Sequence, residues 1–356
     1  MTGSIRLKKA AITKEKAPQK SLSERVIDFE LEISGLVSLI LVAAYLLDIP
    51  LARRCLFISY EYGIDAYGKG IYDIYFVSFW IIAFTFLRAG MMKYIFSPMA
   101  GLWAIPSTTK RQRIAEQSFI CFYYTLFWSL GMYIMYNSPH WFDTTHYWID
   151  YPHIFISRIT KYYYLMQTAF WFQQIYVLHV EKKRKDHLAM LLHHIITIIL
   201  LVASYYTNFT RIGNSVLCCM DLADVFLSFA KILKYLGYSN VCDVVFGLFA
   251  VFWPITRHVL FSIIIWSTAV EPPKYLDMLW EPSKGKYFTP FTQKIYLGLF
   301  LLLNILMFYW FLMIIKVIVK VLQGNNAEDT RSDDEDEDDK EEDDVKIVEQ
   351  PVKEKS

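Results

Sequence analysis

The chain is poor in cysteine and shows no pattern that would use cysteine as a framework. Its five cysteines among 356 residues form no CxxC pair and no secreted-type spacing, and most lie in apolar segments. Such residues are ordinarily small buried hydrophobic groups. The sequence also contains no repeat at a fixed period, whereas transporters are often built from repeated halves. These absences argue against a disulfide scaffold and against a proton-relaying transporter.

Neither a soluble catalytic domain nor a cleavable signal peptide is expected. The start lacks a short apolar core followed by a small-residue cleavage site, so the first membrane helix is expected to direct insertion. Apolar residues are abundant instead: 55% of the chain is hydrophobic, 17% is aromatic and the mean hydropathy is +0.28. They form blocks of ~18 or more residues, long enough to cross the hydrocarbon core as helices. We therefore predict an all-α polytopic membrane protein whose chemistry takes place inside or at the edge of the bilayer.

Hydropathy predicts about eight transmembrane helices. We place them at 33–52, 71–92, 117–136, 162–180, 188–206, 214–236, 244–266 and 295–319. The first is the least well defined, because Asp48 and Pro50 shorten its apolar core. The predicted organisation is a basic arm (1–32), two N-terminal helices (33–110), a main membrane domain (111–320) and an acidic tail (321–356).

Loop charge predicts the orientation of these helices. The basic arm, STTKRQR (107–113) and EKKRK (181–185) hold most of the concentrated positive charge, so the positive-inside rule places them in the cytosol. Both termini are then cytosolic, and the arm and the tail are expected to be disordered. Loops 136–153 and 271–290 fall on the opposite side, which we call the far side. Their Tyr, Trp and Pro content suggests segments at the membrane interface.

Four ionisable residues lie within two consecutive predicted helices: His193, His194, Asp221 and Asp224. Each costs about 2.5–3.5 kcal/mol at the centre of a membrane helix, so such residues are candidates for a functional role. At ~1.5 Å per residue all four fall at overlapping depths, somewhat nearer the cytosol. The helices are antiparallel, and the aspartates share one face. We therefore predict a His–Asp pair across this hairpin, in which the carboxylate fixes the imidazole tautomer.

Other interpretations of these residues stay open. Ionisable side chains between membrane helices also serve simply as interhelical contacts. His179 and His187 lie upstream of the pair, which invites comparison with membrane di-iron enzymes, but the spacing HxxxxxHH differs from their HxxxH and HxxHH boxes. We predict no metal, although the aspartates and histidines could together bind zinc. Adjacent helical residues point ~100° apart, so one of His193 and His194 is expected to meet the reacting group while the other orients or packs.

The run 185–238 is similar to a known family. It contains, in order, residues 186–190, the histidine pair, SYYTNFTRIG and DLADVFLSFAK. This order resembles the signature of the longevity-assurance ceramide synthases, within the wider TLC-domain group of endoplasmic reticulum membrane proteins. The TLC resemblance extends more loosely over 113–320, and RHVLFSIIIWS (257–267) looks like the fungal members. It implies a barrel of six or so helices around a central cavity.

The resemblance implies a reaction. A sphingoid long-chain base, sphinganine or phytosphingosine, is N-acylated by a long or very-long-chain fatty acyl-CoA, giving (dihydro)ceramide and CoA. The catalytic set would be His193, His194, Asp221 and Asp224, with His193 as the reacting residue and either aspartate as its orienting partner. Two routes stay open: His193 takes the amine proton, or it first carries the acyl group. The alternative function is a non-enzymatic TLC protein, lipid-sensing or translocon-associated, which would not need these four residues.

Candidate substrate-binding residues follow from the same signature. CoA is polar and anionic, so it should come from the cytosol, where EKKRK, Lys231 and Lys234 are placed to meet its phosphates. Arg211 and Asn208 match the signature in the far-side loop, where they also suit tightening of the hairpin. Asn208 begins a formal glycosylation sequon, NFT, but the loop is so short that we do not expect its use.

The remaining expectations concern specificity, partners and regulation. By family analogy, loop 271–290 and the spans that it joins set the acyl-chain length. We expect no cofactor and no nucleic acid. The expected partners are membrane lipids, a small single-span regulatory subunit and a second subunit in a homo- or heterodimer. Thr330 and Ser332 precede an acidic run that suits an acidophilic kinase, or that serves only to solvate the tail.

Overall fold

The computed structural model describes residues 22–103, 105, 107–181 and 185–323. Within these ranges, six helices are long and apolar enough to cross a membrane: Phe29–Leu46, Asp73–Gly101, Thr108–Tyr136, His187–Tyr206, Ser239–Val270 and Pro290–Lys320. The described strands form two short antiparallel hairpins. The prediction of an all-α polytopic membrane protein is confirmed. Most of the basic arm and of the acidic tail, with Thr330 and Ser332, lies outside the described residues, as do residues 182–184 of EKKRK.

The helices run as follows in chain order: α1 Leu22–Leu46, α2 Pro50–Leu56, α3 Asp73–Met91, α4 Ser97–Gly101, α5 Thr108–Tyr136, α6 Arg158–Val180, α7 His187–Tyr206, α8 Thr210–Tyr235, α9 Ser239–Pro254, α10 Phe261–Val270, α11 Pro272–Tyr275 and α12 Pro290–Leu322. The strands are β1 Glu61–Gly63, β2 Ala66–Tyr67, β3 Trp280–Glu281 and β4 Lys286–Tyr287. π-helical turns join α3 to α4 and α9 to α10.

The first predicted span differs from the structure at both ends. Helix α1 begins at Leu22, inside the segment predicted as the basic arm, and ends at Leu46 rather than at residue 52. Asp48 has a left-handed backbone with φ +57°, and Pro50 opens the separate short helix α2. Proline has no N–H to donate and disfavours helical backbone in the residue before it, so α1 cannot continue through this point.

Helices α6 and α8 match the predicted spans 162–180 and 214–236, but they are not among the six helices that are long and apolar enough to cross a membrane. Their 23 and 26 residues are sufficient in length, since ~20 residues cross the core. They are more polar because they carry buried polar side chains, among them Gln167 and Gln173 on α6 and Asn214 on α8. The count of about eight spans stays a prediction, and several polar residues of α6 and α8 are buried in the protein interior.

Six helical segments close into a ring. Neighbouring contacts run from α5 to α6, α7, α12, α10, α8 and back to α5. Helices α1 and α3 lie outside this ring, since α1 packs on α3 and α3 packs on α6. This is the barrel arrangement that the family resemblance implied, and it encloses an interior with room for a cavity.

The helix pair α9–α10 is continuous across Pro254 because the chain adopts a π-helical turn, Ile255–Leu260, directly after it. A proline inside a helix removes one backbone hydrogen bond, and a π-turn accommodates the mismatch. The turn carries Arg257, which is 5% exposed and therefore points into the protein. The π-helical turn thus positions a buried cation beside α8.

Candidate active site

His193 and His194 have different surroundings, as their angular separation on α7 predicts. The Nδ1 of His194 donates to the carbonyl oxygen of Met190 at 2.7 Å, one turn earlier on the same helix. His193 makes no hydrogen bond to any described residue, and its Nδ1 is buried without a partner. Its ring packs edge-on against Trp171 of α6 and Trp310 of α12, with centroid distances of 5.3 and 5.5 Å. His193 is therefore held by aromatic contacts that leave its nitrogens uncommitted.

His193 lies in the wall of an apolar cavity of about 50 Å³ within the ring. The cavity runs along α7 past Thr197 and Leu200 to Ser204, a distance of about 16 Å at the helical rise of ~1.5 Å per residue. Aromatic residues of the far side, including Phe288 and Tyr296, form its other end. Among the described lining residues there is no other histidine and no carboxylate. The cavity is thus a narrow apolar channel with one imidazole near the end that the sequence predicts to be cytosolic.

The two aspartates do not hydrogen-bond to His193 or to His194 in the part of the chain that the structure describes. Asp221, 1% exposed, accepts from Gln167 Nε2 at 3.0 Å, and Gln167 in turn accepts from the Tyr123 hydroxyl at 2.7 Å. The direct hydrogen bond between a histidine and an aspartate that was predicted across the hairpin is therefore not present among the described residues. Depth in the membrane was estimated from the helical rise, but depth does not fix the direction in which a side chain leaves its helix.

Asp224 pairs with Arg257, a residue that the sequence argument did not include in the site. Arg257 Nη2 lies 2.6 Å from Asp224 Oδ2 and 2.6 Å from the Met220 carbonyl oxygen, and its guanidinium stacks 3.8 Å from the ring centroid of Trp253. An ionisable residue inside a membrane helix is a function hypothesis in its own right. The arginine that follows Pro254 in an otherwise apolar run was the available signal.

Asp186 is a second residue whose role was missed. Its carboxylate, 4% exposed, accepts the indole N–H of Trp310 at 3.0 Å. The Trp310 ring stands at 90° to the His193 ring. Asp186 therefore fixes one of the two indoles between which His193 lies. The sequence placed Asp186 in the signature but gave no reason to connect it with a tryptophan on the last helix.

The four predicted substrate-binding residues fall at opposite ends of the hairpin. On α8, Lys234 is exposed and Lys231 is half-buried, both near the end that the sequence predicts to be cytosolic. Asn208 is buried at the far side, where its Oδ1 accepts from Lys69 Nζ at 2.8 Å and its Nδ2 donates to the Gly285 carbonyl at 2.9 Å. Arg211 donates to the carbonyl oxygen of His146 at 2.6 Å. Neither Asn208 nor Arg211 lines the His193 cavity, and their part in substrate binding stays a prediction.

No group of three or more His, Cys, Asp or Glu side chains in the described ranges is arranged to hold a metal ion. The predictions of no metal and no cofactor stay predictions. Taken together, the ring, its apolar channel and the uncommitted imidazole define a class: a multi-pass membrane protein with a site for chemistry on an apolar substrate.

Comparison with known proteins gives the family. A family model described as the TLC domain matches residues 113–316. Sphingosine N-acyltransferase lag1 of Schizosaccharomyces pombe is 40% identical over 285 residues, covering 79% of this chain and 73% of the relative. Ceramide Synthase FUM18 of Gibberella moniliformis is 36% identical over 312 residues, covering 79% and 72%. Ceramide synthase LAG1 of Saccharomyces cerevisiae is 36% identical over 278 residues, covering 77% and 67%. The chain belongs to the TLC-domain family, in its longevity-assurance ceramide synthase branch.

Proposed function

We propose that this protein is a ceramide synthase. It transfers the acyl group of a fatty acyl-CoA to the amino group of a sphingoid long-chain base, and the products are (dihydro)ceramide and CoA. The observation that carries this proposal is the uncommitted imidazole of His193 at one end of an apolar channel that runs along α7. The fungal relatives, named as sphingosine N-acyltransferase and ceramide synthases, support the same reaction over a non-enzymatic role.

The chemistry requires a group that removes a proton from the amine or carries the acyl chain. In the first route, neutral His193 takes a proton from the sphingoid ammonium, and the free amine attacks the thioester carbon while CoA leaves as a thiolate, which takes the second proton lost by the nitrogen. In the second, His193 attacks the thioester first and CoA leaves as a thiolate, which takes a proton from the sphingoid ammonium. The free amine then displaces the imidazole from the acyl carbon, and the imidazole takes the remaining proton. Because no described residue occupies the His193 nitrogens, both routes are compatible with its geometry.

The aspartates act through other side chains in this account. Asp224 holds Arg257 by a close ion pair, and Asp221 holds Gln167 by a hydrogen bond. The first pair joins α8 to the π-helical turn before α10, and the second joins α8 to α6, so they keep the walls around the channel in register. Asp221 and Asp224 are therefore proposed as positioning residues, which replaces the direct contact with His193 predicted from the sequence.

The two substrates are proposed to reach the site from different environments. The apolar lining of the channel suits a hydrocarbon chain, although its present volume of about 50 Å³ means that the helices around it must move apart to admit one, and its far-side end, formed in part by Phe288 of loop 271–290, is proposed to limit the chain length. The CoA portion stays at the cytosolic end of α8, where Lys231 and Lys234 supply positive charge. This arrangement keeps the polar leaving group in water while the acyl tail remains in the bilayer.

The cellular setting is also part of the proposal. The family resemblance supports the endoplasmic reticulum membrane, and the basic loops support cytosolic termini. A small single-span regulatory subunit and a homo- or heterodimer are proposed as further partners on the same resemblance.

Lipid analysis of cells that lack the protein tests the proposed function. We expect free sphingoid bases to accumulate and ceramide to fall, and re-expression of the wild type to restore both. Re-expression of a membrane-inserted His193→Ala variant should restore neither. Unchanged sphingoid base and ceramide in the deletion, measured where no second ceramide synthase is expressed, would favour the non-enzymatic alternative.

A further inference from the structure

A second, separate cavity lies at the far side of the membrane domain. It has a volume of about 430 Å³ and shares no lining residue with the His193 channel. Its walls come from the ends of α5 and α6, from the loop between them and from the start of α8. Polar and apolar groups both contribute, in contrast to the apolar channel. The reaction proposed above does not use this cavity.

Arg211 brings an uncompensated positive charge to the second cavity. Among the described residues, its only hydrogen bond runs from Nη1 to the His146 carbonyl oxygen, and no carboxylate lies within ion-pair distance. No Asp or Glu is among the described lining residues. Asp150, which acts on Arg211 at longer range, is exposed to solvent. A half-buried charge without a counter-ion is unfavourable, so this site is suited to an anion.

The two histidines of the cavity wall do not add to this charge. Burial, reinforced by the nearby Arg211, lowers the pKa of His140 and of His153 to about 4. Both rings are therefore neutral near pH 7. Arg211 leaves the cavity with a single positive charge, which matches a monoanionic group.

The start of α8 contributes hydrogen-bond donors to the same place. The residue before it, Phe209, provides no side-chain cap, so the N–H groups of the first turn have no capping acceptor. Thr210 lines the cavity, is 2% exposed and has a hydroxyl without a hydrogen-bond partner among the described residues. An uncapped helix N-terminus attracts anions through its N–H groups and its dipole. The buried Thr210 hydroxyl and the Arg211 charge are independent features that point to the same ligand.

The position of the cavity identifies the source of the anion. Phe155, which is 55% exposed, lines the cavity, and Tyr136, which is 67% exposed, lies two residues before the lining residue Ser138. Such aromatic belts lie at the level of lipid headgroups. A sphingoid base carries an ammonium group, which Arg211 repels, and acyl-CoA is expected on the other side of the membrane. We propose that this cavity, at the start of α8, binds the phosphate group of a membrane phospholipid.

Native mass spectrometry of the full-length protein tests the site. The protein is purified in a phosphate-free maltoside detergent and titrated with a phospholipid, with the matched diacylglycerol and with inorganic phosphate. We expect the first phospholipid molecule to bind more tightly than any further phospholipid molecules. Neither the diacylglycerol nor inorganic phosphate should displace it. Arg211→Gln keeps a donor for the His146 carbonyl but removes the charge, and it should weaken that first binding event about tenfold (~1.4 kcal/mol).

Three further variants make the result specific. Arg158→Gln removes a cation from the same side of the membrane, but Arg158 is exposed and does not line the cavity, so its binding should equal that of the wild type. Thr210→Val removes only the buried hydroxyl, and Ser138→Phe fills the cavity without changing charge; both should weaken binding even if Arg211→Gln does not fold. Equal affinity for diacylglycerol, displacement by inorganic phosphate, or unchanged binding in Thr210→Val and Ser138→Phe would overturn the proposal.

Discussion

Trp310 of the last helix donates its indole N–H to the buried carboxylate of Asp186 at 3.0 Å. The two residues are far apart in sequence, and the same indole stands edge-on to His193. The pair therefore ties the start of α7 to α12 and sets one wall beside the proposed reacting imidazole. Its function in this account is to orient His193 without occupying its nitrogens.

We expect Trp310→Phe to lower kcat about 10- to 100-fold, because a small misplacement of a reacting group has effects of this size. The KM for acyl-CoA should change little, since Trp310 does not meet the CoA portion. Steady-state kinetics of the purified protein measure both quantities. Trp266→Phe is the matched control, because Trp266 is 53% exposed and lies away from the channel. An unchanged kcat in Trp310→Phe, or a change confined to KM, would contradict the positioning role.

The Asp224–Arg257 pair should show strong energetic coupling. Breaking a buried ion pair from one side costs about 3–5 kcal/mol, and the partial exposure of Asp224 should reduce this. We therefore expect Asp224→Asn and Arg257→Gln each to destabilise the protein. The double variant should lose less unfolding free energy than the two single variants lose together, with a coupling of about 1–3 kcal/mol. Unfolding free energies of the four proteins in detergent complete the cycle. If the losses of unfolding free energy in the two single variants simply add up in the double variant, the ion pair does not hold α8 to the π-turn.

Lys69 should make stability depend on pH. Burial, reinforced by the charge of Lys161 and opposed by that of Asp73, lowers the Lys69 pKa from 10.5 to about 7. At a pH between about 7 and 10.5, Lys69 of the unfolded chain holds a proton that Lys69 of the folded protein has lost. Raising the pH from 7 to 9 therefore favours folding. The slope for one proton is at most about 1.4 kcal/mol per pH unit.

Lys69→Met removes this group and should flatten the pH dependence. Chemical unfolding of both proteins at pH 7, 8 and 9 measures the difference. The same rise in stability in wild type and variant would mean that Lys69 remains protonated when the protein is folded.

The far-side end of the channel should set the acyl-chain length. Phe288 is 2% exposed and lines this end. Phe288→Leu shortens the side chain, so we expect the preference in a competition among acyl-CoA substrates to shift toward longer chains. Phe291→Leu is the control, since Phe291 is 72% exposed and does not line the channel. An identical product distribution in wild type and Phe288→Leu would place the determinant elsewhere.

The sequence predicts the helices well because hydrophobic run length is a local property. It misplaces the first span because the left-handed backbone at Asp48 and the new helix at Pro50 depend on how the chain turns there. Helices α6 and α8 were predicted from mixed composition, and the structure shows why they are mixed: their polar residues, such as Gln167 and Asp221, contact each other inside the ring.

The site was less predictable, because it depends on contacts between residues distant in sequence. The histidine pair could be identified from the cost of ionisable groups in a membrane. Its surroundings could not, since Trp171, Trp310 and Asp186 converge only when α6, α7 and α12 pack together. Arg257 is also an ionisable residue within a predicted membrane helix, as the histidines are, so its place near the site could have been proposed from the sequence.

The central claim is that His193 is the reacting residue, and its removal is the most direct test. Ceramide formation from acyl-CoA and sphinganine is measured with purified wild type and His193→Ala, each shown to be folded by thermal unfolding. We expect activity in the wild type and a loss of about 10²-fold or more in the variant, which is the range for removal of a general acid or base. Equal ceramide formation by both proteins would contradict the assignment of His193.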